Sequence, residues 1–348
     1  MYRRLFIAGS LLAARKAGRP APGRPPFVRE GALAFGTTVS IAVVHEDAAI
    51  ARAAIDEALG EVRRVDRLMT VFRPDSQVGR LNAEGVLRNP DSRLVRVLEF
   101  SQRLAALSDG AFDVTVQPLW LLFTRCKAEG RIPSREEIAQ ARSLVGWTHL
   151  DVSPRAIGFS RRGMSISLNG VAQGYATDLA VAALKSRGIR DALVDAGELG
   201  AEGSRGPGRP WTVGIQHPRD PSAVLASLEM DGRFLATSGD YATAFTPDFV
   251  HHHIFDPRAG VSPRALSSVA VAAASGMEAD GLTKPMMVLE PARAQRLLSQ
   301  FPGAGAVFID KRGGIVASRG LRLAGPLAHR PRAALECGPP TPSQEPPC

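Results

Sequence analysis

The stretch GAVFIDKRGGIVAS (305–318) sets the fold class. Residues 305–310 and 314–318 are strand-like runs separated by Lys311, Arg312 and Gly313, which reads as a β-hairpin and therefore as antiparallel pairing. Working outward, 192–196, 211–216 and 267–274 read as further strands. In ALAFGTTVSIAVV (32–44) the later half alternates as a strand does. Helical spacing is equally clear. Ile50, Ala54, Ala58, Val62, Val65 and Met69 recur over 48–69, and Leu94, Val97, Leu98, Leu104 and Leu107 over 92–108. A further helix is predicted from Tyr175 to Arg187, stopping at Gly188, and Ser134 with Glu137 forms a capping box. Helices and strands alternate without a βαβ rhythm. That predicts an α+β fold, mixed sheets with packed helices, rather than a doubly wound parallel sheet.

The chain has 348 residues, 45% hydrophobic and 22% charged, ordinary values for a globular protein. Its net charge of +9 is unevenly placed. Residues 1–30 carry +6, residues 326–348 carry zero, and the body carries only +3. A mild excess of that kind does not call for a nucleic-acid partner. No apolar run approaches the roughly 20 residues that span a bilayer. Cys126, Cys337 and Cys348 include no CxxC pair and make neither a zinc site nor a disulfide framework. Arg3 and Arg4, followed by Leu5, Phe6, Ile7 and an apolar stretch to Ala14, read as a twin-arginine export signal. The expected location is periplasmic or at the periplasmic face of the inner membrane; a cytoplasmic protein with a basic leader is the alternative. Three parts follow: an export-signal-like leader and linker (1–31), a single folded domain (32–325) and a Pro-rich tail (326–348).

Several stretches have loop-like composition and polar residues that a plain core does not need. They are FRPDSQVGRLN (72–82), SDGAFDVTVQPL (108–119), SLNGVAQGYATD (167–178) and TSGDYATAF (237–245) leading to HHHIFDPRAG (251–260). Each has a structural alternative, such as a helix cap at Gly110 or a turn before a helix. The small residues that open the 167–178 helix also leave bare N–H and C=O groups for an anion or metal. The triplet 251–253 looks like a metal site, yet on an extended strand His251 and His253 face one side and His252 the other. In MEADGLTKPMMVL (277–289), Asp280 and Lys284 are four apart and share a helix face. Of the 43 basic residues only five are Lys. A chain that fills generic positive sites with Arg has a compact point charge at 284.

In order and spacing these stretches resemble the FAD:protein FMN transferase family, the ApbE-type flavin transferases, over residues 32–325. GAFDVTVQPL, NGVAQGYATD, TSGDY, HIFDPRAG and EADGLT each correspond to a family block. The resemblance implies an enzyme that cleaves the pyrophosphate of FAD with Mg²⁺. It attaches FMN to a Thr hydroxyl of an acceptor flavoprotein carrying an Asp-Gly/Ser-Ala-Thr motif, and AMP leaves. Carried over, Ala111, Phe112 and Asp113 line the flavin–adenosine site. Phe35 and Phe72 match positions that pack on FAD, Ser167 and Gln173 match polar FAD contacts, and Phe255 matches an apolar one. Gly170, Asp280 and Thr283 match metal-side positions, and Asp280, Lys284 and His253 are the expected catalytic residues. The sequence departs from the pattern at three places. Lys284 stands where the family commonly has a metal-ligating Thr, Gln173 replaces a frequent Lys or Glu, and Ser167 a frequent Asp. These departures feed an alternative, a non-catalytic FAD-binding or flavin-delivery protein.

Overall fold

The computed structural model describes residues 26–318, 320–321 and 323–324. The elements run β1 (Phe27–Ala34), β2 (Thr37–Val44), α1 (Ala48–Met69), α2 (Gln77–Glu84), β3 (Val86–Arg88), α3 (Ser92–Leu107), α4 (Gln117–Ala128) and α5 (Arg135–Arg142). Next come β4 (Leu150–Val152), β5 (Ala156–Phe159), α6 (Ala172–Ser186), β6 (Ala192–Asp195), β7 (Leu199–Glu202), β8 (Thr212–Gln216), β9 (Val224–Glu229) and β10 (Phe234–Gly239). The chain continues through β11 (Leu266–Ala273), α7 (Gly276–Val288), α8 (Pro291–Leu298), β12 (Gly305–Asp310), β13 (Ile315–Ala317) and β14 (Leu323–Ala324).

An eight-stranded sheet, ordered β1-β2-β6-β7-β10-β11-β12-β13, forms the centre. Its neighbours pair antiparallel, as the hairpin at 305–318 predicts. Two three-stranded sheets, β14-β9-β8 and β3-β5-β4, complete an α+β architecture. Period-two alternation explains why both faces of the central sheet are covered. Val39, Ile41 and Val43 of β2, with Val269 and Val271 of β11, join the core under α1, α3, α6 and α7. Ala42, Val44, Ala270 and Ala272 point the other way, into a second core with Trp211, Val213 and Leu228 of the β8–β9 side. A third cluster, Leu119, Phe123 and Phe255, lies where α4 meets the loop after β10.

The structure moves several predicted boundaries. Strand β1 begins at Phe27, so residues 27–31 are sheet and not linker; Arg29 pairs with Ala42 in the β1–β2 ladder. Burial alternates throughout β1, but Arg29, Glu30 and Gly31 break the apolar pattern in its sequence, which hid it. Helix α6 begins at Ala172, three residues early, and Ala172 N–H donates to the Leu168 carbonyl at 2.8 Å. The 72–82 stretch holds the start of α2, capped by Ser76. Thr237–Gly239 close strand β10, and the 108–119 stretch ends in α4. The twin-arginine segment and the 326–348 tail lie outside the described residues.

Candidate active site

Helices α6 and α7 meet at their first turns, and this junction builds the site. Gly174 and Gly276 meet there: a Cβ on either would collide with the other's backbone. The two helices then satisfy each other's free N–H groups. Asp178 of α6 accepts from Gly276 at 2.5 Å and Met277 at 3.0 Å, and Asp280 Oδ2 of α7 accepts from Gly174 at 3.1 Å. The small residues of NGVAQG therefore serve a helix–helix contact, and the N–H of Gly174 goes to a protein carboxylate.

A cleft of about 230 Å³ opens beside this junction. Ala111, Phe112, Asp113, Ser167, Gly170, Gln173, His253, Phe255 and Lys284 all line it, so most predicted site residues converge. Others do not. Phe35 sits at the tip of the β1–β2 hairpin at φ 52° and packs on the main core rather than on the cleft wall. Phe72 is 57% exposed, edge-on to Trp120 at 6.2 Å, and Trp120 is a wall residue. Phe72 is thus a rim neighbour. Asp280 and Thr283 lie behind the wall, essentially inaccessible. The cavity is below the roughly 300–1,000 Å³ of pockets that enclose a small ligand, so a dinucleotide would run out along the mouth.

Charge in the cleft is concentrated at Lys284. Its ammonium donates to the Asp280 carbonyl at 3.1 Å and pairs with Asp280 Oδ1. The i,i+4 face predicted from sequence is therefore formed. The lysine stem crosses Gly170 closely; a Cβ there would stand 2.9 Å from Lys284 Cε. Glu198, in the β6–β7 turn, faces the same cleft and accepts from Thr237 N–H at 3.2 Å. Burial, then the Asp280 charge, pushes its carboxyl well above the ordinary carboxylate range, with Lys284 pulling the other way. Burial, then His252 and Lys284, lowers the His253 imidazole to about 4, so it is neutral at pH 7. Its Nδ1 is buried without a partner.

The histidine triplet is not a regular strand; His252 makes an isolated bridge with Ala244. The three rings still diverge: His251 lies 5.7 Å from the Phe123 ring, His252 Nε2 is 3.1 Å from the Pro263 carbonyl, and His253 lines the cleft. Asp113 is a scaffold residue. Its carboxylate accepts from Thr115 N–H (2.8 Å), Thr115 Oγ1 (2.7 Å) and Trp147 N–H (2.8 Å), which fixes the 111–117 turn. Burial raises its pKa while these bonds lower it.

The donor set does not suit a divalent cation at the predicted metal positions. Both Asp280 oxygens already have protein donors. Thr283 Oγ1 donates to the Asp280 carbonyl at 2.7 Å and shares a hydrogen bond with the cleft-lining Ser238 Oγ at 2.8 Å, so its hydroxyl is already committed. An ammonium and a dication on one carboxylate, about 4 Å apart, would repel by about 8 kcal/mol at an effective dielectric of 20. Among the described residues no group of three or more His, Cys, Asp or Glu side chains converges as a metal site would need.

Glu198, Trp120, Gly197 and Ser238 line the cleft and were not predicted. DAGELG (195–200) carried the usable signal, two acids among small residues. Gly197, at φ 99°, is forced by the turn and by Gln173, whose side chain a Cβ would strike.

The fold and this cleft define an enzyme of the flavin-transferase class, and comparison with known proteins agrees. The ApbE family model matches residues 35–308. An FAD:protein FMN transferase of Klebsiella pneumoniae is 32% identical over 80% of this chain and 83% of its own length. One from Escherichia coli K12 is 32% identical over 71% of this chain and 74% of its own. The ApbE protein of Thermotoga maritima superposes with a TM-score of 0.76 at 28% identity, covering 84% of this chain and 97% of that one. The flavin transferase ApbE of Vibrio cholerae superposes at 0.72 and 26%, covering 85% and 98%. The chain belongs to the ApbE family.

Proposed function

We propose that this enzyme transfers FMN from FAD to a Thr hydroxyl of an acceptor flavoprotein and releases AMP. Family membership supports flavin transfer, with FAD as substrate. The observation that carries the finer reading is a neutral His253 imidazole lining the same cleft as the Lys284 ammonium. Phe112, Phe255 and Trp120 supply an apolar wall for a flavin or adenine ring. The acceptor oxygen attacks the phosphorus of the FMN half, and its proton passes to His253. The bond to the bridging oxygen breaks, and AMP leaves with the electron pair. Lys284 neutralises charge on the phosphates, and Glu198, whose carboxyl burial pushes well above the ordinary carboxylate range, borders the same cleft. Magnesium, which the family resemblance implies, takes no step here because the donor set does not suit it.

The acceptor carries an Asp-Gly/Ser-Ala-Thr motif. The leader sends the enzyme to the periplasm, where such an acceptor would be met; exchanging Arg3 and Arg4 for Lys should stop export of a folded reporter fused to residues 1–35. The deciding experiment mixes the protein, FAD and an acceptor domain and measures AMP and acceptor-bound flavin. Equal amounts of both, lost when the acceptor Thr becomes Val, are expected. Tight FAD binding with neither product would make the protein a flavin carrier. No helix among the described residues is long and apolar enough to cross a membrane.

A further inference from the structure

Lys284 differs from an ordinary surface lysine in three ways. Its side chain is only 21% exposed, its stem is confined against Gly170, and its ammonium is anchored twice on Asp280. An ammonium has three N–H donors. Two go to the Asp280 carbonyl and carboxylate, which leaves one for whatever enters the cleft. Asp280 in turn is fixed by the Gly174 N–H, so the cation is held by a carboxylate that cannot turn away.

We propose that Lys284 is the resident cation of this cleft, occupying the place of the divalent ion and supplying the positive charge that a pyrophosphate requires. Three observations support it together. The carboxylate at the metal-side position is already paired. Thr283, the nearest hydroxyl, is committed to Ser238 and the Asp280 carbonyl. Gly170, the expected carbonyl donor, lies under the lysine stem. A divalent ion at Asp280 would have to displace the ammonium from the carboxylate that both would use. The consequence is a transferase whose chemistry is independent of added metal. This part rests on the function proposed above; the metal-binding part does not.

Two measurements separate these parts. The first titrates Mn²⁺ alone into chelator-treated full-length protein and reads free Mn²⁺ by electron paramagnetic resonance. Wild type should show no site at 284, and Lys284→Thr should bind Mn²⁺ at least about tenfold more tightly, since removing a competing cation and adding an oxygen acts directly on the ligand set. One equivalent bound by wild type as tightly as by Lys284→Thr would overturn the proposal, and this wild-type result stands even if a variant misfolds. The second measures flavin transfer to an acceptor domain in EDTA. Wild type should keep its rate within about twofold, and Lys284→Met should lose about 10²–10³ in rate with FAD binding retained, the cost of removing one charge aimed at the reacting group. Lys284→Thr should recover only when Mg²⁺ is added. Wild-type transfer abolished by EDTA and restored by Mg²⁺ would also overturn it. If no protein transfers flavin under any condition, the proposed function fails, and the Mn²⁺ titration alone decides the identity of the cation.

Discussion

At the scale of single residues, lysine usage was the most legible signal. Lys127 donates to the Ala244 carbonyl (2.6 Å), Lys284 to that of Asp280 (3.1 Å) and Lys311 to that of Phe249 (3.0 Å). Lys127 is exposed, but at the partly buried Lys284 and Lys311 a compact ammonium reaches a carbonyl and a carboxylate together in a confined space, which suits a point charge better than a planar guanidinium. Glu198 was not legible, because its burial follows from a turn between two short strands that no local pattern marks. His253→Gln should lower flavin transfer by about 10²–10⁴, the usual worth of a general base, while FAD affinity stays within about threefold. An unchanged rate in a stopped assay of AMP release would remove His253 from the chemistry. Asp195 gives a stability prediction. Burial pushes its carboxyl up to about 6, against the bond from Gly197 N–H. The folded form therefore holds its proton more tightly than the unfolded chain, so this stabilisation is complete below about pH 4 and is lost as pH rises through about 6. Asp195→Asn keeps the acceptor and removes the titration. Its stability relative to wild type should improve by about 1–2 kcal/mol between pH 4 and pH 7, less than two full pK units would give because the side chain keeps some solvent contact. Urea midpoints that differ equally at both pH values would contradict this.

At the scale of elements, the long amphipathic helices were readable, and of the strands inside the central sheet β6 and β11 were readable but β7 and β10 were not. Helix α1 spans Ala48–Met69 and α3 spans Ser92–Leu107, as their apolar spacing predicts. The capping box of α5 is present in both directions. Strands β7 and β10 escaped because LGAE and FLATSG show no period-two alternation; they lie inside the central sheet, where both faces are covered. Helix α7 was visible as an Asp–Lys face, but its partner was not. Its entry depends on contact with Gly174 across 102 residues of chain, which is tertiary information. Gly276→Ala should therefore cost about 1–3 kcal/mol, because the Gly174 backbone and the Asp178 carboxylate leave no room for a methyl group. It should reduce flavin transfer as well, since it displaces the turn that carries Asp280 and Lys284. Unchanged chemical denaturation would mean that the two helix starts can separate freely.

At the scale of the whole molecule, the α+β class followed from the sequence, but the anchoring of the loop that forms one side of the cleft did not. Asp240, fully inaccessible, follows β10 in the TSGDY block. Arg219, from the turn between β8 and β9, grips its two oxygens at 2.7 and 2.8 Å and stacks on the Phe249 ring at 4.3 Å. Lys311, from the β12–β13 hairpin, pairs with the same carboxylate and donates to the Phe249 carbonyl. Three distant segments, from the second sheet, the central sheet and its edge hairpin, thus converge on one anion. That anion begins the loop carrying His253 and Phe255 to the cleft. Sequence could show each charge but not their meeting, because none lies within reach of another along the chain. Removing the carboxylate leaves two partly buried cations facing each other, a change that typically costs 3–5 kcal/mol in a buried pair. Since Arg219 and Lys311 are 32% and 26% exposed, about 2–4 kcal/mol is expected for Asp240→Ala. The loop should loosen before the rest of the fold, so FAD affinity should fall in Asp240→Ala under conditions where the central sheet is still fully folded. Asp240→Glu, which keeps the charge, should recover much of that affinity. Calorimetry of FAD binding alongside urea denaturation separates the two effects: a stability loss with wild-type affinity would mean that the loop holds its shape without Asp240, and that the cluster serves the fold alone.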